Sequence, residues 1–377
     1  MTKGKRLLFW VLLLAGTLGL LEAAASVLYY FHLTEQEREA VELTIGLRAV
    51  SSNLVLRYIP HPYFNFVSNP DFRFTNGYRP HNSMGLRGEP CCAKEKKPGQ
   101  IRIVAIGGST TYGVYFTYER NVWPALLQKK LTDQFQPVVE VINAGVPFYT
   151  SYELIGLAAM RVPEFSPDLI LIHTGLNDAF TVGFSDEGGP DNTFFRHAWS
   201  YKLPPDRLKA GMRASYIIRL LGLRLTSSEG FLPGDMAGAI QHAPPADAEV
   251  LRNAQTATGK YFRRNLQTLV ALFRNMGATP VLINEPLNPL QETGQTVYLS
   301  EVVKAVIRNN GILKEVADRN GLVYVDLYSK MQDPAFFMDA AHETQAGMEI
   351  KASTIATQIT PLVKDVLKTK SKHPTPQ

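Results

Sequence analysis

The sequence predicts an α/β protein of three layers, α/β/α, with a parallel five-stranded sheet, carried behind an N-terminal transmembrane helix. Three observations carry this expectation. From residue 101 onward, short apolar β-branched runs alternate with longer helical stretches, the pattern of a parallel sheet covered on both faces. Four short polar or glycine-bearing motifs each follow a strand candidate, at the end of the sheet where open α/β folds bind ligands. Finally, Leu7–Tyr30 is apolar and carries no charge except Glu22, long enough to span a bilayer as a helix.

Lys3, Lys5 and Arg6 precede the apolar run, and Glu35, Glu37 and Glu39 follow it. This asymmetry places the N-terminus in the cytoplasm and the body of the protein outside, periplasmic or extracellular. An uncleaved signal-anchor is the favoured reading, since Val27-Leu28-Tyr29-Tyr30 prolongs the apolar run. The alternative is secretion after cleavage of a signal peptide, with Ala23-Ala24-Ala25 as the small-residue site. The organisation read from the chain is 1–33 anchor, 34–100 juxtamembrane extension and linker, and 101–370 the α/β domain interrupted by an insertion at 180–250.

Within the extension, 34–58 reads as helical. Residues 59–100 are rich in Pro, Asn, Gly and aromatics and read as turns and loops. The only cysteines, Cys91 and Cys92, are adjacent; a bridge between neighbours is strained, so two free thiols are expected. A net charge of +5 with scattered Lys and Arg gives no basic block of the kind that binds nucleic acid.

Strands are expected at Ile101–Ile106, Val138–Asn143, Leu169–His173, Thr279–Asn284 and Leu322–Val325. Helices are expected near 120–132, 152–162, 256–276, 297–319 and 344–368. The insertion is too long for an ordinary connection and reads as a lid or substrate wall. Asp206–Leu225, drawn on one helical wheel, mixes arginines among its apolar residues and makes a poor amphipath, so membrane-surface docking is the lesser reading there.

The chemistry-bearing residues lie at the strand ends. Ile101–Ile106 stops at Gly107-Gly108, which allow a sharp turn, and Ser109 follows. A serine at such a corner offers a hydroxyl nucleophile and a backbone N–H from one residue. His342 is the candidate base, and Asp339, three residues before it, is spaced to orient the imidazole and stabilise its charged form. Oxyanion donors are expected from the Ser109 N–H, the Gly145 N–H and the Asn177 side-chain amide. Asp326 is an alternative acid, with a capping role preferred. His173, His197 and His242 have no ligand-like spacing, so no metal is expected, and serine-nucleophile chemistry of this kind calls for no organic cofactor.

These residues together resemble the sequence blocks of the SGNH (GDSL-type) hydrolase superfamily. GGSTTYG with Ser109, NAGVP with Gly145, GLND with Asn177 and DAAH with Asp339 and His342 occur in the family's order, followed by Thr344 and Gly347. The stretch NSMGLRG before a charged linker is similar to membrane-anchored bacterial members. The resemblance covers about 101–365. It implies a flavodoxin-like strand order and a serine esterase that cleaves O-acyl or O-acetyl esters of a carbohydrate or lipid through an acyl-serine. Two other outcomes stay open: an O-acyltransferase on an exported polysaccharide with the same triad, and a non-catalytic carbohydrate-binding domain on the retained fold. The sequence departs from the family at Gly108, where its Gly-Asp-Ser carries Asp. The partners expected are the ester substrate and the membrane through the N-terminal helix, with no nucleic acid; acyl-chain length, the alcohol part and oligomeric state are not fixed by the sequence.

Overall fold

The computed structural model describes residues 2–35, 38, 41–42, 45, 57–61, 63–74, 76–88, 95–97, 99–135, 139–196, 206–225, 242–291 and 296–372. Most of the expected 34–58 helix, and Cys91 and Cys92, lie outside the described residues. In chain order the longer elements are α1 (Lys3–His32), β1 (Tyr58–His61), β2 (Asn65–Ser68), β3 (Ile101–Gly107), α2 (Trp123–Phe135), β4 (Val139–Gly145), α3 (Ser151–Met160) and β5 (Leu169–His173). Then come α4 (Asp206–Ala214), α5 (Tyr216–Leu225), α6 (Asp247–Thr256), α7 (Lys260–Asn275), β6 (Thr279–Ile283), α8 (Val297–Asn320), β7 (Tyr324–Val325) and α9 (Gln345–Lys372). The chain divides into a helical unit, 1–56 with 198–240, and a sheet unit, 57–197 with 241–377.

In the sheet unit, five strands run parallel in the order β4-β3-β5-β6-β7, which is the flavodoxin-like order. β3 is buried along its whole length, as an apolar run must be when both sheet faces are covered. Its odd-numbered residues Ile101, Ile103 and Ala105 pack with Trp123, Leu127 and Leu131 of α2 and Ala352, Ile355 and Ile359 of α9. α7 packs on α3, α8 and β6, and α8 also packs on β6, burying Leu154, Leu157, Leu266, Leu269, Phe273, Val306 and Leu313.

Three departures from the sequence expectation have physical causes. The expected 256–276 helix is α7, which starts only at Lys260, after Gly259 at φ +72°, and a separate helix, α6, precedes it; the N–H groups of Thr258 and Gly259 donate to the buried Glu187 between the two. Part of the expected loop region forms an antiparallel hairpin, β1–β2, with Tyr58 opposite Ser68 and His61 opposite Asn65. Residues 81–88, read as part of an extension, are packed into the sheet unit. Arg87 N–H donates to Asn143 O at 3.2 Å, and its guanidinium lies 4.7 Å from the Tyr112 ring centroid.

In the helical unit, α1 has a mean hydropathy of 2.0 over its most apolar window, none of which is buried. One N-terminal helix of this kind is consistent with a membrane anchor or a signal sequence. Asp206–Leu225 is not one helix but a hairpin of two, broken at Ser215. Gly211 and Gly222 let the two approach closely: a Cβ on Gly222 would meet Met212 Sδ at 2.7 Å, and one on Gly211 would meet Ile218 at 3.1 Å.

Candidate active site

β3 delivers the chain to the carboxyl edge of the sheet, and Ser109–Tyr112 forms a single helical turn there. From the sequence, Gly107-Gly108 allow a sharp turn. Neither has a left-handed φ, and the requirement is close approach. A Cβ on Gly107 would meet His173 O at 2.1 Å, and one on Gly108 would meet Asn177 Nδ2 at 2.6 Å. Trp123 Nε1–H donates to Thr110 O at 3.1 Å and braces the turn from below.

The second part is the loop before α9. Phe337 and Glu343 form an antiparallel bridge, and Met338 N–H donates to His342 O at 2.7 Å, so Asp339–Ala341 cap a tight reversal. Asp339 Oδ1 accepts from Ala341 N–H at 2.9 Å and His342 N–H at 2.8 Å. His342 Nδ1–H donates to Asp339 Oδ2 at 2.8 Å, and Ser109 Oγ–H donates to His342 Nε2 at 2.8 Å. The three-residue spacing thus becomes a side-chain pair through an Asx-type turn rather than a helix. Partial burial works against charge on Asp339, but the bonds from His342 and from the Ala341 and His342 N–H groups outweigh it. They hold the carboxyl well below the usual carboxylate range.

Asn177 reaches the same corner. Its Nδ2 donates one hydrogen to Tyr149 O at 2.9 Å and lies directly over Gly108. The Ser109 N–H has no partner among the described residues. Gly145 does not match its expected part. Its N–H donates to Asn143 Oδ1 at 3.0 Å, and a Cβ there would meet Tyr112 N at 2.6 Å. Gly145 is therefore needed for the close passage of β4 beneath the Ser109 turn, with its donor occupied. Asp326, the alternative acid, accepts from Asn284 Nδ2 at 2.7 Å and Ser329 N–H at 3.1 Å, and caps the turn after β7. Among the described residues no group of three His, Cys, Asp or Glu is disposed to hold a metal ion.

A family profile described as GDSL-like lipase/acylhydrolase matches residues 105–350, well over half of the chain. The chain belongs to this GDSL-like lipase/acylhydrolase family. It is an ester hydrolase of the SGNH type. Among solved structures it is similar to a GDSL-like lipase from Bacteroides thetaiotaomicron, at 14% identity and TM-score 0.39 over 69% of this chain and 88% of that one. It is similar to a lipase/acylhydrolase from Enterococcus faecalis, at 19% identity and TM-score 0.40 over 74% and 100%. An acetylxylan esterase from Geobacillus stearothermophilus matches at 14% identity and TM-score 0.42 over 70% and 96%. No curated protein matches the sequence.

Sequence reasoning missed several residues around the site. Tyr115, 54% exposed, donates from its hydroxyl to Asp339 Oδ2 at 2.8 Å, and its ring lies edge-on to His342 with centroids 5.0 Å apart. Phe148 holds φ +68°, a conformation that costs a non-glycine residue about 1–2 kcal/mol; the buried Arg196 donates to its carbonyl and pairs with Glu153 at 2.9 Å. Beneath Ser109 lies a buried polar group: His173 Nε2 is 3.1 Å from Glu285 Oε2, and Thr111 Oγ1 is 3.0 Å from His173 Nδ1. Positive φ at Phe148 has no sequence signal. Tyr115, six residues after Ser109 in an aromatic-rich turn, is the one whose position hinted at the site.

Asp178, beside Asn177, serves the scaffold. It accepts from Ser151 N–H and Oγ–H and so caps α3 from a distant loop. Burial raises its carboxyl, against the Ser151 bonds, to about 6. Between pH ~4 and ~6 the folded state therefore holds a proton the unfolded chain has lost, and stability falls as pH rises through that window. Asp178→Asn keeps an acceptor for Ser151 without the titration. Its Tm relative to the parent is expected to climb by a few degrees from pH 4 to pH 6.5. A constant difference across that range would refute the assignment.

Proposed function

We propose that this ester hydrolase works through an acyl-serine on Ser109. His342 takes the hydroxyl proton as Ser109 Oγ attacks the ester carbonyl, then gives it to the departing alcohol oxygen. Asp339 holds the imidazole in the tautomer that leaves Nε2 free for Ser109. The Ser109 N–H and the second hydrogen of Asn177 Nδ2 serve as oxyanion donors. Water, deprotonated by His342, then attacks the acyl carbonyl; the Ser109 Oγ–acyl bond breaks, His342 returns the proton to Oγ, and the carboxylic acid leaves. The observation that carries this reading is the continuous Ser109–His342–Asp339 line, 2.8 Å at each step.

The substrate proposed is an O-acyl or O-acetyl ester of a carbohydrate or lipid, with Tyr115 offering a flat face beside the reacting centre. We also propose that α1 is an uncleaved anchor with the sheet unit outside the cytoplasm, supported by the Lys3, Lys5 and Arg6 cluster before the apolar run.

The test is covalent trapping. A fluorophosphonate is expected to modify one residue, Ser109, located by peptide mass, and to abolish turnover of p-nitrophenyl esters from acetyl to dodecanoyl. Turnover that survives complete labelling, or a label on another residue, would overturn the nucleophile assignment. Acyl transfer to a sugar acceptor in excess of hydrolysis would move the reading to an acyltransferase.

A further inference from the structure

The helical unit contains a contact that a cleaved leader has no reason to make. Glu22 is the single charge in the apolar run of α1. Its carboxylate accepts from Ser215 Oγ–H and, at 2.9 Å, from Tyr216 N–H. Ser215 Oγ in turn accepts from Ile218 N–H at 3.2 Å. The first turn of α5 is thus capped by a side chain from α1. In hydrocarbon, an unpaired carboxylate and the open N–H groups of a helix start are each costly. Brought together, each satisfies the other, with the positive end of the α5 dipole facing the negative charge.

A second layer of contacts fixes the same geometry. Arg219 is buried with its guanidinium 5.0 Å from the Tyr29 ring centroid and 4.4 Å from that of Tyr216, while its Nε–H donates to Met212 O at 2.9 Å. Tyr29 and Met212 share a buried cluster with Val41 and Ile45. Tyr29 and Tyr30 stand near the outer end of α1, where aromatic side chains settle at a membrane–water boundary. On the hairpin, α5 leaves Ile218 and Leu221 exposed, at 37% and 54%, whereas α4 exposes Arg207 and Arg213.

From this we infer that the α4–α5 hairpin is a membrane-seated element docked on the anchor through Glu22, with Ile218 and Leu221 facing acyl chains and the α4 arginines facing anionic headgroups. Membrane docking is only the lesser reading from the sequence because a single wheel runs through Ser215, where the helix breaks. The inference rests on the proposal that α1 is a retained anchor.

The test uses the full chain in nanodiscs of phosphatidylethanolamine and phosphatidylglycerol. In a Cys91→Ser/Cys92→Ser background, an NBD label is attached after Leu221→Cys or, as a control in the sheet unit, Lys304→Cys. Doxyl-labelled lipid is expected to quench the label at 221 at least fivefold more strongly than at 304. Amide exchange at Tyr216–Ile218 is expected to rise at least tenfold in Glu22→Leu and less in Glu22→Gln, with ester turnover retained as the check on folding. Equal quenching at the two sites, or unchanged exchange in Glu22→Leu, overturns the hairpin. A chain found in the soluble fraction with an intact mass lacking its first 25 or so residues overturns the anchor reading as well, so the two failures are distinguishable.

Discussion

Ser109→Ala and His342→Ala are each expected to lower kcat/KM for a p-nitrophenyl ester by about 10⁴-fold or more, and the double variant by no more than either alone. The two groups act as one device: without the imidazole the Ser109 hydroxyl is a poor nucleophile, and without the hydroxyl the imidazole has nothing to activate. Their 2.8 Å contact is already formed without substrate, so no rearrangement stands between the free enzyme and the attacking geometry. Asn177→Ala is expected to cost less, on the order of 10²–10³, since it removes one oxyanion donor and leaves the Ser109 N–H. Tyr115→Phe is expected to be milder still, because Asp339 keeps three other donors. Steady-state kinetics on purified variants with unchanged circular dichroism checks the series. Additive losses in the double variant, or a tenth of the parent rate left in Ser109→Ala, would sink the assignment.

The parts of this site that were legible are those set by local chain geometry. An apolar β-branched run ending in Gly-Gly-Ser puts Ser109 at a sheet edge whichever helices cover the sheet. Asp339 and His342 lie within one turn of each other. Parallel strand order is constrained by the alternation itself. What was not legible depends on groups far apart in sequence. Gly145 looked like a free donor until Asn143 folded its amide oxygen back onto it. α7 starts at Lys260 rather than near 256, because Glu187, some seventy residues earlier, accepts from the Thr258 and Gly259 N–H groups and holds that turn outside the helix. The hairpin in the insertion was hidden for the same reason, its break at Ser215 being closed by Glu22. Residues 81–88 looked like linker because their composition is that of turns, yet His81 and Arg87 are buried against Tyr112.

Lys351→Met is expected to destabilise the sheet unit by about 3–5 kcal/mol, the usual cost of stranding one partner of a buried ion pair. Lys351 and Glu343 are both fully buried, 2.5 Å apart. Lys351 Nζ also lies 3.4 Å from Thr110 O and 5.7 Å from the Trp123 ring centroid. Among the described residues Glu343 Oε2 has no hydrogen-bond partner, so the carboxylate depends on the lysine for its main compensation. Methionine fills the space and leaves Glu343 charged in an apolar setting or forces it to take a proton. Removing both charges in Lys351→Met/Glu343→Leu is expected to recover most of the loss, since two desolvation costs vanish together. Urea unfolding of the parent, the singles and the double closes that cycle. A single-variant loss under about 1 kcal/mol, or a double variant as unstable as the sum of the singles, would show that the pair is not coupled as described. The same pair links the two halves of the site, because Glu343 follows His342 and Thr110 follows Ser109. The double variant is therefore expected to regain its stability while kcat stays reduced by about tenfold, with KM little changed. That split follows if the pair sets the distance between Ser109 and His342, and a purely structural pair would restore both together.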